Sequence, residues 1–102
     1  MVDLTVDEWT QKEYLTNKQV LALQGIKVIL VDTILNSIEG TGAITYSPPL
    51  MKQEPAGSVF VFYCDSGKGT YSRLQEFRAK FPDHVCISLR GGRGYWRKNL
   101  QQ

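Results

Sequence analysis

Three stretches of the chain are short, rich in β-branched or aromatic residues, and apolar at consecutive rather than alternate positions. They are Ile26 to Asp32 (IKVILVD), Ser58 to Cys64 (SVFVFYC) and Val85 to Leu89 (VCISL). Runs of this kind suit central strands of a parallel sheet, which are covered on both faces. Lys27, near the start of the first, can snorkel outward. Ala43-Ile44-Thr45-Tyr46 is a shorter strand candidate. Between the second and third runs, Tyr71, Leu74, Phe77 and Phe81 are spaced 3, 3 and 4 apart, one stripe of a helix predicted over 70–81. Pro82-Asp83 stops it. The first 24 residues read as helical in two pieces. Thr5-Val6-Asp7-Glu8 and Thr16-Asn17-Lys18-Gln19 each have capping-box form. Val20, Leu21 and Leu23 give the second piece an apolar side, and Gly25 is its C′ stop. Pro49 opens a short helix toward Lys52 or Gln53. Arg93 to Leu100 reads as a short basic final helix carrying Tyr95 and Trp96. Strands alternating with helices predict one α/β domain over 1–102. Its sheet is expected to be mostly parallel, of about four or five strands flanked by helices, with 1–14 as a helical N-terminal extension.

Composition narrows the function classes. A chain of 102 residues builds one modest core. Its 42% hydrophobic and 22% charged content is ordinary for a globular protein. A net charge of +2 is too small to imply nucleic acid. No apolar run approaches the roughly 18 residues of a membrane span. MVDLTVDEW has no basic n-region and no apolar h-region, so a signal peptide is not expected and a cytoplasmic location is. Two cysteines make no disulfide framework and fit a reduced compartment with one working thiol. Two distant cysteines and the single histidine, His84, lack metal-ligand spacing. Neither a metal nor a cofactor is expected.

The candidate chemistry lies where the second apolar run ends, at Cys64-Asp65-Ser66-Gly67-Lys68-Gly69-Thr70. In doubly wound α/β folds, ligands bind at the carboxyl ends of the strands. Gly67 and Gly69 permit positive φ and remove Cβ atoms, so successive N–H groups can form an anion-binding bowl. Lys68 adds charge, and Ser66 and Thr70 add hydroxyls. A thiol in such a bowl is favoured as thiolate and becomes nucleophilic; the bland alternative is a buried, inert cysteine before an ordinary turn. Two other readings fail on residues. A phosphate-binding P-loop needs a glycine five residues before the one preceding the lysine, and Phe62 stands there. A cysteine phosphatase loop needs an arginine to grip the phosphoryl group, and Thr70 occupies that position. Cys86 reads as a core cysteine rather than a resolving thiol, and His84 as a turn residue. Arg90, Arg93, Arg97 and Lys98 read as a solvated basic end that could also meet an acidic partner or steer an anion.

The loop resembles the active site of rhodanese domains, whose pattern is Cys-x-x-Gly-x-Arg-Ser between a strand and a helix. Cys64 and Gly67 match; Gly69 and Thr70 stand where arginine and serine are common. Downstream, Gly91-Gly92 and Trp96 match the family's Gly-Gly-x-x-x-Trp. Upstream, Leu30-Val31-Asp32 matches a strand ending in Asp-x-Arg, with Ile34 in the arginine's place, and Gly42-Ala43-Ile44 matches part of Pro-Gly-Ala-Ile/Val. The resemblance implies a sulfurtransferase or persulfide carrier. Cys64 would take sulfur from a small anionic donor such as thiosulfate and pass it to cyanide, a thiol or a partner protein. Asp65, Ser66, Gly67, Lys68, Gly69 and Thr70 would bind the substrate, mainly through backbone N–H groups. A non-catalytic interaction module of the same fold is the alternative. A domain that binds anions or nucleic acid through the basic C-terminal end is a third.

Overall fold

A computed structural model describes residues 2–100; Met1, Gln101 and Gln102, the ends of the predicted domain, lie outside the described residues. The core is one sheet of five strands, all parallel. In chain order its elements are β1 (Glu8–Trp9), α1 (Gln11–Leu23), β2 (Val28–Asp32), β3 (Ile44–Thr45), α2 (Pro48–Met51), β4 (Val59–Tyr63), α3 (Lys68–Ser72), α4 (Leu74–Lys80) and β5 (Val85–Leu89). Two 3-10 turns, Arg93–Tyr95 and Lys98–Leu100, follow. The spatial order is β1-β5-β4-β2-β3. From β2 the chain moves outward to β3, then returns to the other side of β2 to lay down β4. That reversal is a topological switch point, where a crevice opens at the carboxyl ends of the strands. Cys64 follows β4 there. This architecture is consistent with a rhodanese-like α/β fold.

The unbroken apolar runs are explained by two cores, one per face. Val59, Val61 and Tyr63 of β4 face α1, with Val28, Leu30, Ile87 and Leu89 from the flanking strands. Phe60 and Phe62 point the other way, toward Met51, Leu74, Phe77 and Phe81. Phe62 and Phe77 stack in parallel with centroids 4.0 Å apart. Every residue of β4 is buried, so no polar alternation is possible along it.

The N-terminal segment corrects the sequence reading. Residues 2–7 form no helix, and Glu8–Trp9 pairs in parallel with β5 as an edge strand. Val2, Leu4 and Val6 alternate with Asp3, Thr5 and Asp7, and the apolar set packs on the α1-side core. The sequence has the period-2 pattern of a half-buried strand, although the backbone bends at Leu4, Thr5 and Asp7 and only Glu8–Trp9 pairs. Arg78 ties the segment down, with Nη1 2.9 Å from the Asp7 carboxylate and Nη2 donating to the Val6 carbonyl. The helix start is instead the capping box of Thr10 and Glu13, each side chain accepting from the other's N–H. The Thr16 to Gln19 stretch lies inside α1. Gly25 does end the helix: its φ is +76°, and Ile26 N–H reaches the Leu21 carbonyl in the Schellman arrangement. Leu23, placed on the apolar side by sequence, is 90% exposed.

The helix expected over 70–81 begins earlier, at Lys68, and breaks at Arg73 (φ −95°, ψ 4°). Gly69, Thr70 and Ser72 favour helix weakly. Leu74, Phe77 and Phe81 stay on the buried stripe, whereas Tyr71, before the break, is 49% exposed. The expected basic final helix is replaced by the two 3-10 turns. Gln11 clamps this segment from α1, its Nε2 donating to the Arg97 carbonyl and its Oε1 accepting from the Arg97 N–H. Trp96 packs on Tyr14 with ring centroids 5.9 Å apart. No described helix is long and apolar enough to cross a membrane.

Candidate active site

Cys64 leaves the sheet between the ends of β2 and β5 and is half-buried. Gly67 N–H points at its sulfur, N to Sγ 3.2 Å. Thr70 Oγ1 lies 3.8 Å from Sγ and 2.8 Å from Ser88 Oγ, a buried hydroxyl pair beneath the loop. Burial pushes the Cys64 thiol up. The N–H groups of Thr70, Gly67 and Ser66 and the Thr70 hydroxyl outweigh that and hold it below its ordinary value. N–H groups that favour the charged form of a group lower its pKa without any cation. The loop is therefore a cradle for negative charge on sulfur.

Glycines shape this cradle for two different reasons. At Gly67 φ is +85°, and a Cβ would stand 2.8 Å from Gly91 N and 2.9 Å from the Leu89 carbonyl. Both the backbone angle and the close approach exclude a side chain. At Gly69 a Cβ would stand 3.4 Å from Sγ, so its absence leaves that flank of the sulfur uncovered.

The segment after β5 is the back wall. Arg93 N–H donates to the Cys64 carbonyl at 2.7 Å, and Gly94 N–H to the Asp65 carbonyl at 2.8 Å. Gly92, at φ 57° and ψ −152°, passes so close that a Cβ would collide with the Cys64 carbonyl oxygen. The Gly91-Gly92 pair thus serves a backbone-to-backbone contact with the loop. On the β2 side, Thr33 N–H and Oγ1 both donate to the Tyr63 carbonyl just before Cys64. The buried Asp32 carboxylate accepts from Ile34 N–H and Ser37 Oγ, holding its own loop. Arg93 Nε donates to the Asn36 carbonyl and links the two walls.

Among the residues picked from sequence, Cys64, Ser66, Gly67 and Thr70 converge on the sulfur. Gly69 clears space beside it. Asp65 acts through its carbonyl and is exposed; Lys68 is exposed on the outer shoulder, where Ser66 Oγ accepts from its N–H. Sequence reasoning missed Thr33, Ser88 and Gly94, which act across chain distances that no local pattern reveals. Cys86 is buried in the aromatic face, its thiol pushed up to about 11 by burial. His84 lies at the opposite end of the strands from Cys64, just before β5, stacked on Phe60 with its Nε2 2.9 Å from the Glu54 carbonyl oxygen.

Thr70→Val tests the cradle. The change keeps the shape, removes the hydroxyl beside Sγ and strands Ser88. A hydrogen bond worth about 1 kcal/mol corresponds to a roughly fivefold loss of thiolate at pH values below the midpoint. Iodoacetamide alkylation of Cys64 is expected to slow by that factor and its pH midpoint to rise, while Thr70→Ser stays near wild type. An unchanged profile in Thr70→Val would show that the hydroxyl has no hold on the sulfur. Comparison with family models, curated proteins and solved structures finds no match to this chain.

Proposed function

We propose that the protein is a sulfurtransferase or persulfide carrier working through Cys64. The observation that supports this most is an accessible thiol at a parallel-sheet switch point whose charge is stabilised by converging N–H groups. A cradle without a guanidinium suits the single negative charge of the Cys64 thiolate or its persulfide better than a phosphoryl group. In the first step the Cys64 thiolate attacks the outer sulfur of thiosulfate. The new Cys64–sulfur bond forms as the sulfur–sulfonate bond breaks, and sulfite leaves with the electron pair. In the second step cyanide or a thiolate attacks the outer sulfur, and the Cys64 thiolate is regenerated. The N–H groups of Ser66, Gly67 and Thr70 would stabilise the anion in both forms. Ser88, Arg93 and the Gly92 contact hold the loop in position.

A relay of this kind has a covalent enzyme form between two half-reactions. Initial rates of thiocyanate formation from thiosulfate and cyanide are expected to give parallel double-reciprocal lines, with no turnover in Cys64→Ala. Converging lines would require both substrates bound together and would sink the relay. The competing reading, a domain of this fold that only binds partners, draws on Gly69 and Ile34 at the two positions where the resembling family carries arginine. It predicts no thiocyanate from any sulfur donor.

A further inference from the structure

We propose that the trough beside the Cys64 loop is a docking site for an acidic segment of a partner protein. The trough encloses about 600 Å³ between Lys12 at the start of α1, the Ser66–Lys68 shoulder, Arg90 and the ring of Tyr95. A second hollow of about 350 Å³ shares Ser66, Lys68 and Arg90 with it and continues to Glu8 and Tyr71. Four cations line this surface: Lys12, Lys68, Arg90 and Arg97. Arg90 is paired with Glu8 at 2.8 Å. Among the described residues no carboxylate lies within ion-pair distance of Lys12, Lys68 or Arg97. Like charges gathered without counter-charge raise the local potential and favour an anionic ligand.

Size and charge pattern select the occupant. Hollows of roughly 300–1,000 Å³ hold ligands far larger than a tetrahedral anion, so the trough has room for a segment of peptide. Glu8 lines the adjoining hollow, and its carboxylate both neutralises Arg90 and repels a continuous phosphate backbone. Discrete carboxylates on a peptide can meet Lys12, Lys68 and Arg97 while avoiding Glu8. Tyr95, 78% exposed, offers an apolar face to the same chain. The role of the docked segment rests on the sulfur-carrier reading: it brings a cysteine to the loop. Its thiolate attacks the outer sulfur of the Cys64 persulfide, a sulfur–sulfur bond forms on the partner, and the Cys64 thiolate leaves.

The test uses a fluorescein-labelled hexaglutamate peptide and full-length Cys64→Ser protein, so binding is read without any sulfur transfer. Fluorescence anisotropy at low salt is expected to show binding that is roughly tenfold weaker after Lys12→Ala, Lys68→Ala and Arg97→Ala together, and that added salt weakens in Cys64→Ser itself. Lys68→Glu, at an exposed position, is expected to weaken it as well. Equal binding by the triple variant, or equal binding of a hexaglutamine peptide, overturns the proposal. Tighter binding of an oligouridylate than of hexaglutamate overturns it in favour of nucleic acid. Intact peptide binding with no sulfur uptake by wild type would instead sink the carrier reading and leave the docking site standing.

Discussion

Gly92→Ala is expected to lower the melting temperature by on the order of 20 °C and to abolish sulfur uptake at Cys64. The native angles, φ 57° and ψ −152°, belong to a region essentially restricted to glycine, which costs other residues about 1–3 kcal/mol. The added Cβ would also collide with the Cys64 carbonyl oxygen and stand 2.8 Å from Gly67 N and 3.0 Å from the Asp65 carbonyl carbon. These are backbone atoms, so no side-chain rotation relieves the contact. Overpacking of that kind adds about 1–3 kcal/mol, and each kcal/mol moves the midpoint of a domain this size by about 4–8 °C. The loop can yield only by leaving the wall that holds it, which breaks the bonds from Arg93 and Gly94 to the Cys64 and Asp65 carbonyls. Gly57→Ala is the control. Its φ is +88° and nothing lies within 4 Å of the new Cβ, so only the left-handed backbone penalty of about 1–2 kcal/mol remains. If both variants melt within a few degrees of each other, the close approach of Gly92 to the loop does not carry the effect described.

The central strands were the most legible part of the chain. β2, β4 and β5 announce themselves because a strand covered on both faces needs apolar residues at consecutive positions, and few other elements of that length do. The N-terminus was misread for the opposite reason. Thr5 and Glu8 satisfy the spacing of a capping box, but Val2, Leu4 and Val6 satisfy the period of an extended chain. The open side of β5 takes Glu8 and Trp9 as its partner, and Val2, Leu4 and Val6 pack on the core ahead of them. Capping residues describe how a helix starts, not whether one exists. The helix after the Cys64 loop was found but its break at Arg73 was not, because the stripe through Leu74, Phe77 and Phe81 continues across the residue where the backbone departs.

The site was legible in its local part only. A cysteine at a strand end before two glycines marks a bowl of N–H groups, and Gly67 and Thr70 act on the sulfur as that pattern implies. The supports come from elsewhere in the chain. Gly92 and Gly94 pack against the loop, Ser88 supports Thr70, and Thr33 holds the carbonyl before Cys64. No periodicity joins these positions, since only the order of strands brings them together. Lys68 faces the outer trough with Lys12, Arg90 and Arg97, and the Cys64 thiol is lowered by amides and a hydroxyl.

Sulfur loading at Cys64 is the second large expected effect, and the two cysteines make it easy to assign. Cys64 is half-buried with its thiol held low; Cys86 is buried with its thiol pushed up to about 11. Thiolate, not thiol, attacks a sulfur donor, so sulfur uptake is expected at Cys64 and not at Cys86. The direct measurement is the intact mass of the protein after incubation with thiosulfate, or with a polysulfide, and removal of the donor. Wild type and Cys86→Ala are expected to gain one sulfur atom that cyanide then removes, and Cys64→Ser to gain none. A gain that persists in Cys64→Ser, or no gain in wild type from either donor, would contradict the account.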